Sequence, residues 1–288
     1  MTLPPESGIV YAATMQDHFV EEAFLSAQTI KQRFPDLPIT LFTDRVDHCL
    51  CRLGAFDCVA PARLPSDLRA PAARAQIARL KCLLDAPYAR TLHLDTDTRV
   101  LTEEFPRLFA LLDKFDVAMV ETSEDDSFSR RHLGQRIFNS GMILFRKGGK
   151  TRRWLEAWLS LSYRNFQIAS RAKLTDVPFL RHIPSEEVRR RLLFMDQVSQ
   201  VEILTPEVNP FRLACHTLDA SWNHRGSSRP ENNRVPPKIV HFPELRKLLH
   251  ADILSVAYAW KVGGRPSDAQ VLYQYIDSRY PAAIRRAT

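Results

Sequence analysis

Apolar and polar positions follow two different rhythms along the first half of the chain. Gly8-Ile9-Val10-Tyr11-Ala12-Ala13 is a short apolar run, the pattern of a buried strand. Phe19, Val20, Ala23, Phe24, Ala27 and Ile30 then recur three and four apart. That spacing predicts an amphipathic helix, with Asp17 as its cap and Phe34-Pro35 at its end. Residues 38–44 predict a second strand and residues 56–60 a third. The proline-punctuated stretch 61–71 reads as a loop. A helix over 72–84 leads into the strand Arg90-Thr91-Leu92-His93-Leu94, and residues 115–121 and 136–145 predict further strands.

This succession implies an α/β fold, with a mixed, mainly parallel sheet flanked by helices. The second half is more helical. Trp154, Leu155, Trp158, Leu159 and Leu161 predict an amphipathic helix. Residues 163–190 read as irregular and basic, residues 238–242 as a short late strand, and the tail after Ser267 as a capped helix. No repeat or linker divides the chain. We expect one domain over 1–245, with a helical extension over 246–288 packed on it.

Composition narrows the class. With 45% hydrophobic and 25% charged residues, the 288-residue chain is an ordinary globular protein and not a disordered one. No apolar run reaches a membrane-spanning length and the start lacks a basic, apolar leader. The five cysteines are irregularly spaced, as expected of free thiols in a reducing compartment. Together these features predict a cytoplasmic protein. The net charge of +7 comes largely from arginine clusters, including Arg130-Arg131, Arg189-Arg190-Arg191 and Arg285-Arg286. They suit anionic substrates or lipid headgroups. Without interleaved aromatics, nucleic acid is not an expected partner.

Candidate chemistry centres on Asp95-Thr96-Asp97, just past an apolar strand. In extended backbone, residues i and i+2 point to the same side, so the two carboxylates repel. A divalent cation such as Mg²⁺ or Mn²⁺ removes that penalty. An acidic turn at a strand end is the alternative. His241 is either a core histidine or a third ligand whose nitrogen tilts the preference to Mn²⁺. Asp196 and Gln197 open a helical stretch, where Asp196 is either an N-terminal helix acid or lies with Gln197 beside a sugar ring. Asn139 and Ser140 precede a strand glycine, which marks either a bare bulge or a place where they meet sugar hydroxyls. His48, Cys49, Cys51 and Cys58 lack zinc-site spacing. Dinucleotide, P-loop and nucleophile-elbow motifs are absent.

Taken in order, these segments resemble the GT-A fold nucleotide-diphospho-sugar transferases, and most closely glycosyltransferase family 8. The resemblance spans residues 8–245. It runs through Val10-Tyr11-Ala12-Ala13-Thr14, Thr43-Asp44, Arg79 and Lys81, Leu94-Asp95-Thr96-Asp97, and Phe138-Asn139-Ser140-Gly141. It continues through Met195-Asp196-Gln197, Trp222-Asn223 and Val240-His241-Phe242. It implies a Rossmann-like sheet and a metal held by Asp95, Asp97 and His241. Tyr11, Ala12, Ala13 and Thr14, with Asp95, would border the nucleotide. Arg79 or Lys81 would face the donor phosphates or sugar. Asn139, Asp196 and Gln197 would line the sugar. The family's glycine and lysine-proline-tryptophan segment after the late histidine is missing here, leaving Lys247 or Arg246 to stand in as the phosphate clamp.

The implied activity is transfer of a hexosyl unit from a donor such as a UDP-sugar to a hydroxyl of a glycan, lipid-linked or protein acceptor. Retention of configuration is implied, and acceptor contacts are expected in 124–132 and 163–190. The basic surface would allow peripheral association with the inner membrane face. Two rivals remain. Asp95-Thr96-Asp97-Thr98 mimics the nucleophile loop of haloacid-dehalogenase-type phosphohydrolases, with Asp95 as nucleophile. A non-catalytic polyanion-binding protein would use the basic surface alone.

Overall fold

The computed structural model describes residues 6–122, 128–174, 177–225, 236–241 and 243–280. Parts of the expected segments 124–132 and 163–190, Phe242 and Arg285-Arg286 lie outside the described residues. The chain opens with β1 (Ser7–Ala13), α1 (Asp17–Lys31), β2 (Ile39–Thr43), β3 (Cys58–Pro61), α2 (Pro71–Leu84) and β4 (Arg90–Leu94). β5 (Thr98–Val100), α3 (Phe105–Ala110), β6 (Val117–Glu121), α4 (Phe128–Leu133), β7 (Phe138–Arg146) and α5 (Gly149–Ala169) follow. The last third holds α6 (Glu186–Leu193), α7 (Asp196–Val201), β8 (Cys215–Leu218), β9 (Ile239–His241), α8 (Leu249–Val262) and α9 (Pro266–Arg279).

Seven strands form one sheet in the order β3-β2-β1-β4-β7-β6-β8. β7 runs antiparallel to both of its neighbours, and every other pairing is parallel. The chain winds outwards from β1 to β2 and β3, then returns to place β4 on the other side of β1. That reversal leaves a crevice beyond the carboxyl ends of β1 and β4, where ligands bind in such sheets. β5 and β9 pair apart from the main sheet, with Thr98 opposite His241. This small ladder brings the late histidine back to the end of β4.

Core packing follows the predicted patterns. One face of the sheet buries Ile9, Tyr11, Leu41 and Leu92 against Val20, Phe24 and Ala27 of α1. The other buries Val10, Ile143 and Phe145 against Leu80, Leu83, Trp154 and Trp158 of α2 and α5. α8 packs on both α9 and α1. Glu21, fully buried on α1, anchors this pair. It accepts hydrogen bonds from Tyr280 Oη at 2.6 Å, from Arg279 Nε at 3.1 Å, and from Tyr275 Oη.

Two expectations are corrected. Gln16, and not Asp17, is the cap residue of α1, and its side chain makes no capping bond. Asp17 lies inside the first turn, where the helix dipole favours an acid, and pairs with Arg45 at 3.0 Å. Much of 163–190 is helical. α5 runs on to Ala169, and α6 is capped by Ser185, whose Oγ accepts from Val188 N. The helical rhythm was hidden because α5 buries Ser162 and Asn165 in place of apolar residues.

Candidate active site

A cavity of about 400 Å³ opens over the ends of β1, β4 and β7. Ala12, Thr14, Arg79, Asp95, Asp97, Asn139, Ser140, Asp196, Gln197 and His241 all line it, drawn from segments spread over most of the chain. Asp95, Asp97 and His241 each place one ligand atom within 4.8 Å of the others. His241 Nε2 lies 3.2 Å from Asp97 Oδ1 and 3.6 Å from Asp95 Oδ2.

The two aspartates do not meet as alternate residues of an extended strand. Thr96 and Asp97 form a turn between β4 and β5, and the turn itself makes the carboxylates converge. Buried polar groups hold it from behind. Thr98 Oγ1 donates to the Asp95 carbonyl at 2.9 Å, accepts from Ser26 Oγ, and Ser26 accepts from Tyr11 Oη, the last two at 2.7 Å. Thr96 Oγ1 donates to Glu22 Oε2 at 2.7 Å. Gly141 N completes no part of this turn, but Asp95 N donates to the Gly141 carbonyl at 2.7 Å and so extends the β4–β7 ladder to the site.

Electrostatics keep the Asp95 carboxyl charged. Burial alone would raise the Asp95 carboxyl, but the hydrogen-bonding His93 ring and the Arg79 guanidinium beside it hold it below the usual range. Burial pushes the His93 imidazole below its ordinary value. Arg79 donates to Asp95 Oδ1 at 3.1 Å and to the Ser140 carbonyl at 3.2 Å, and pairs with Asp196 Oδ2. It therefore joins the carboxylates of Asp95 and Asp196 across the cavity. Asp196 is fixed further through its backbone, by Gln76 Oε1 at 2.7 Å and Trp158 Nε1 at 2.8 Å.

Several expected residues sit differently. β1 alternates, so Tyr11 and Ala13 point into the core and only Ala12 and Thr14 face the cavity. Lys81 lines a separate cavity with Phe42, Arg63 and Asp85. Lys247 is exposed and outside the site, whereas Arg246 lines it. The Gln197 carboxamide lines the cavity but is engaged at both ends. Nε2 donates to the Phe138 carbonyl at 2.7 Å and Thr122 Oγ1 at 3.1 Å, while Oε1 accepts from Ser129 at 3.0 Å.

Neither Arg225 in the cavity wall nor Glu22 behind it was among the expected residues. Arg225 is carried by a stretch with no periodic signal. Arg246 rests over the Phe19 ring and donates Nε to Glu22 Oε1 at 2.8 Å. Glu22 thus ties the Asp-Thr-Asp turn to the cationic wall, and burial pushes its carboxyl up. An acid on a helix with apolar spacing gives no hint of that task.

The donor set fits a divalent cation: two hard oxygens and one imidazole nitrogen converge, beside a glycine that leaves them room. A Cβ on Gly141 would lie 2.4 Å from His241 Cε1 and 2.7 Å from Asp95 Oδ2.

No protein-family model matches this chain, and no curated protein matches it by sequence. Solved structures do. The galactosyltransferase LgtC, crystallised with donor and acceptor sugar analogues, superposes with a TM-score of 0.51 at 15% identity, over 82% of this chain and 87% of LgtC. The glycosyltransferase GlyE of Streptococcus pneumoniae TIGR4 superposes with a TM-score of 0.50 at 15% identity. That match covers 85% of this chain and 60% of GlyE. At such identity the likeness speaks for architecture, and on that ground the chain has the GT-A glycosyltransferase fold.

Proposed function

We propose that this protein is a metal-dependent glycosyltransferase that moves a hexosyl unit from a nucleotide-diphosphate donor, a UDP-sugar, to an acceptor hydroxyl. The observation that carries this reading is the convergence of Asp95, Asp97 and His241 at the strand-end cavity, which Arg225 and Arg246 also line. Asp95, Asp97 and His241 would hold the cation, with Mn²⁺ favoured over Mg²⁺ by the imidazole. When bound, such an ion acts as a Lewis acid on the oxygens of the leaving diphosphate.

The chain's own groups supply the rest. Arg246, held by Glu22, and Arg225 stabilise negative charge where it grows on the leaving group. Ala12 and Thr14 border the nucleotide, and Asp95 lies near its ribose. Ser140 and Asp196 line the donor sugar. Asp196 is neutralised by Arg79, which makes it a poor general base for an inverting attack. That pairing favours retention, in which the acceptor proton passes to the departing phosphate on the same face. The fully engaged Gln197 amide positions the sugar-side wall. The GT-A architecture, with Asp95 at the end of β4 and not near the start of the domain, argues against a haloacid-dehalogenase-type phosphohydrolase.

A thermal-shift screen of nucleotide sugars with and without Mn²⁺ tests this reading. A ligand at about a hundredfold excess over its Kd stabilises the native state by about 2.7 kcal/mol. The expected result is a rise of several degrees with one nucleotide sugar, present only when Mn²⁺ is added. No rise with any donor would refute the transferase reading.

We also place the acceptor reaction, on a glycan, protein or lipid-linked hydroxyl, at the inner membrane face. Among the described residues no helix is long and apolar enough to cross a membrane. Leu254, Tyr258 and Val262 are exposed at four-residue steps along α8, with Leu248 before them and Lys247 and Lys261 beside them. An apolar stripe flanked by cations suits interfacial binding to anionic lipid. Co-sedimentation with phosphatidylglycerol vesicles at low salt is expected, and a protein left in the supernatant counts against it.

A further inference from the structure

An imidazole binds a cation through one nitrogen while the other carries a proton, so a metal-ligating histidine must be set in the right tautomer. For His241 the tautomer follows from a run of buried amides. Gly141 N donates to Asn139 Oδ1 at 2.7 Å. A backbone N–H is always a donor, so the Asn139 atom facing it is the oxygen. The amide nitrogen of Asn223 donates to the same oxygen at 2.8 Å. This turns the oxygen of Asn223 the other way, 2.7 Å from His241 Nδ1. An amide oxygen only accepts, so Nδ1 carries the proton. Nε2 is then the atom aimed at Asp97 and Asp95, at 3.2 and 3.6 Å.

The backbone holds the two ends in register. Asn223 closes a short 3-10 turn, Ala220–Asn223, which also buries Trp222. The next residue, His224, donates its N–H to the Ile239 carbonyl at 2.8 Å, and its carbonyl accepts from His241 N at 2.9 Å. The turn and β9 are therefore fastened together on both sides of the side-chain contact. Asn139, Asn223 and His241 are 5%, 5% and 4% exposed, so the relay is closed to bulk water.

We infer that Asn223 is a positioning residue of the metal centre: oriented by Asn139 and the Gly141 backbone, it fixes His241 as the Nδ1–H tautomer with Nε2 free to bind a cation. This inference rests on the metal-dependent reading above. It assigns Asn223 a task although Asn223 does not line the cavity. It also gives the Phe138-Asn139-Ser140-Gly141 segment a task besides bordering sugar. Asn139 spends its oxygen on the relay, and Gly141 supplies the N–H that orients the relay and the space the imidazole needs.

Two readouts test it. In metal-free, ¹⁵N-histidine-labelled protein at alkaline pH, long-range ¹H–¹⁵N correlation reports which nitrogen of His241 is protonated, with His241→Gln identifying the resonances. The Nδ1–H tautomer is expected, and the Nε2–H tautomer overturns the inference. In a Mn²⁺ titration followed by the electron paramagnetic resonance signal of the free ion, Asn223→Ala should weaken binding by about 10- to 100-fold. Asn223→Asp keeps an acceptor for Nδ1–H but loses the amide donor to Asn139 Oδ1, and should bind Mn²⁺ more weakly than wild type and more tightly than Asn223→Ala. Equal affinities in the two variants, or wild-type affinity in Asn223→Ala, overturn the inference. A wild-type protein that binds no Mn²⁺ refutes the metal-dependent reading and the positioning role with it. The wrong tautomer beside intact Mn²⁺ binding refutes only the relay.

Discussion

Asp97→Asn is expected to lower the transfer rate by about 100- to 1000-fold and to leave the fold intact. Asp97 supplies one of the two carboxylates in the cluster, and its Oδ1 lies 3.2 Å from His241 Nε2. Asparagine keeps the shape and removes the charge. A Lewis acid at such a site contributes several kcal/mol to the transition state, and each ~1.4 kcal/mol is worth about a factor of ten in rate. Stability should not suffer, because the substitution removes one of two like charges that the turn forces together. Steady-state rates and melting temperature, measured on the same preparation, check both halves. Wild-type turnover in the variant, or wild-type turnover in excess chelator, contradicts the metal role.

Arg79→Ala is expected to destabilise the protein by about 3–5 kcal/mol, the cost of breaking a buried ion pair from one side. The Arg79 and Asp196 side chains are 12% and 8% exposed. Arg79 also bonds Asp95 and the Ser140 carbonyl. Its loss strands the Asp196 carboxylate in a poorly solvated place. In a protein of this size the melting temperature should drop by about 10 °C, at roughly 2–4 °C per kcal/mol. Mn²⁺ should recover part of the loss, because it compensates Asp95 and not Asp196. Thermal unfolding with and without Mn²⁺ checks this. A variant that melts with wild type would mean that Arg79 serves the donor alone, as the family resemblance implies, and does not hold the carboxylates.

Much of the frame was legible in the sequence. β4 falls where predicted, and β1, β2, α1 and α2 fall within about two residues of their predicted ends, because buried runs and helical spacing are strong local signals. The cluster of Asp95, Asp97 and His241 was legible as well, through the order of the motifs. What failed has identifiable causes. Tyr11 to Thr14 were given one shared role, although strand alternation lets only every second side chain face the cavity. Arg79 and Lys81 look interchangeable in sequence, yet two residues along a helix turn a side chain by about 200°, and the two line different cavities. β5 is a three-residue strand, and nothing so short carries a pattern, whereas its partner β9 lies within the late strand predicted over 238–242. The groups that hold the site from behind, Glu22, Ser26 and Asn223, are polar residues among apolar ones. Only tertiary structure reveals what they bond.

The central claim is that the aspartate-histidine cluster works in sugar transfer from a nucleotide donor. Its most direct test takes the nucleotide sugar that stabilises the protein most and follows release of the nucleoside diphosphate, with Mn²⁺ and with excess chelator. The account predicts release that depends on Mn²⁺, stops with chelator and is lost in Asp97→Asn. Release that is unaffected by chelator and by Asp97→Asn would contradict it.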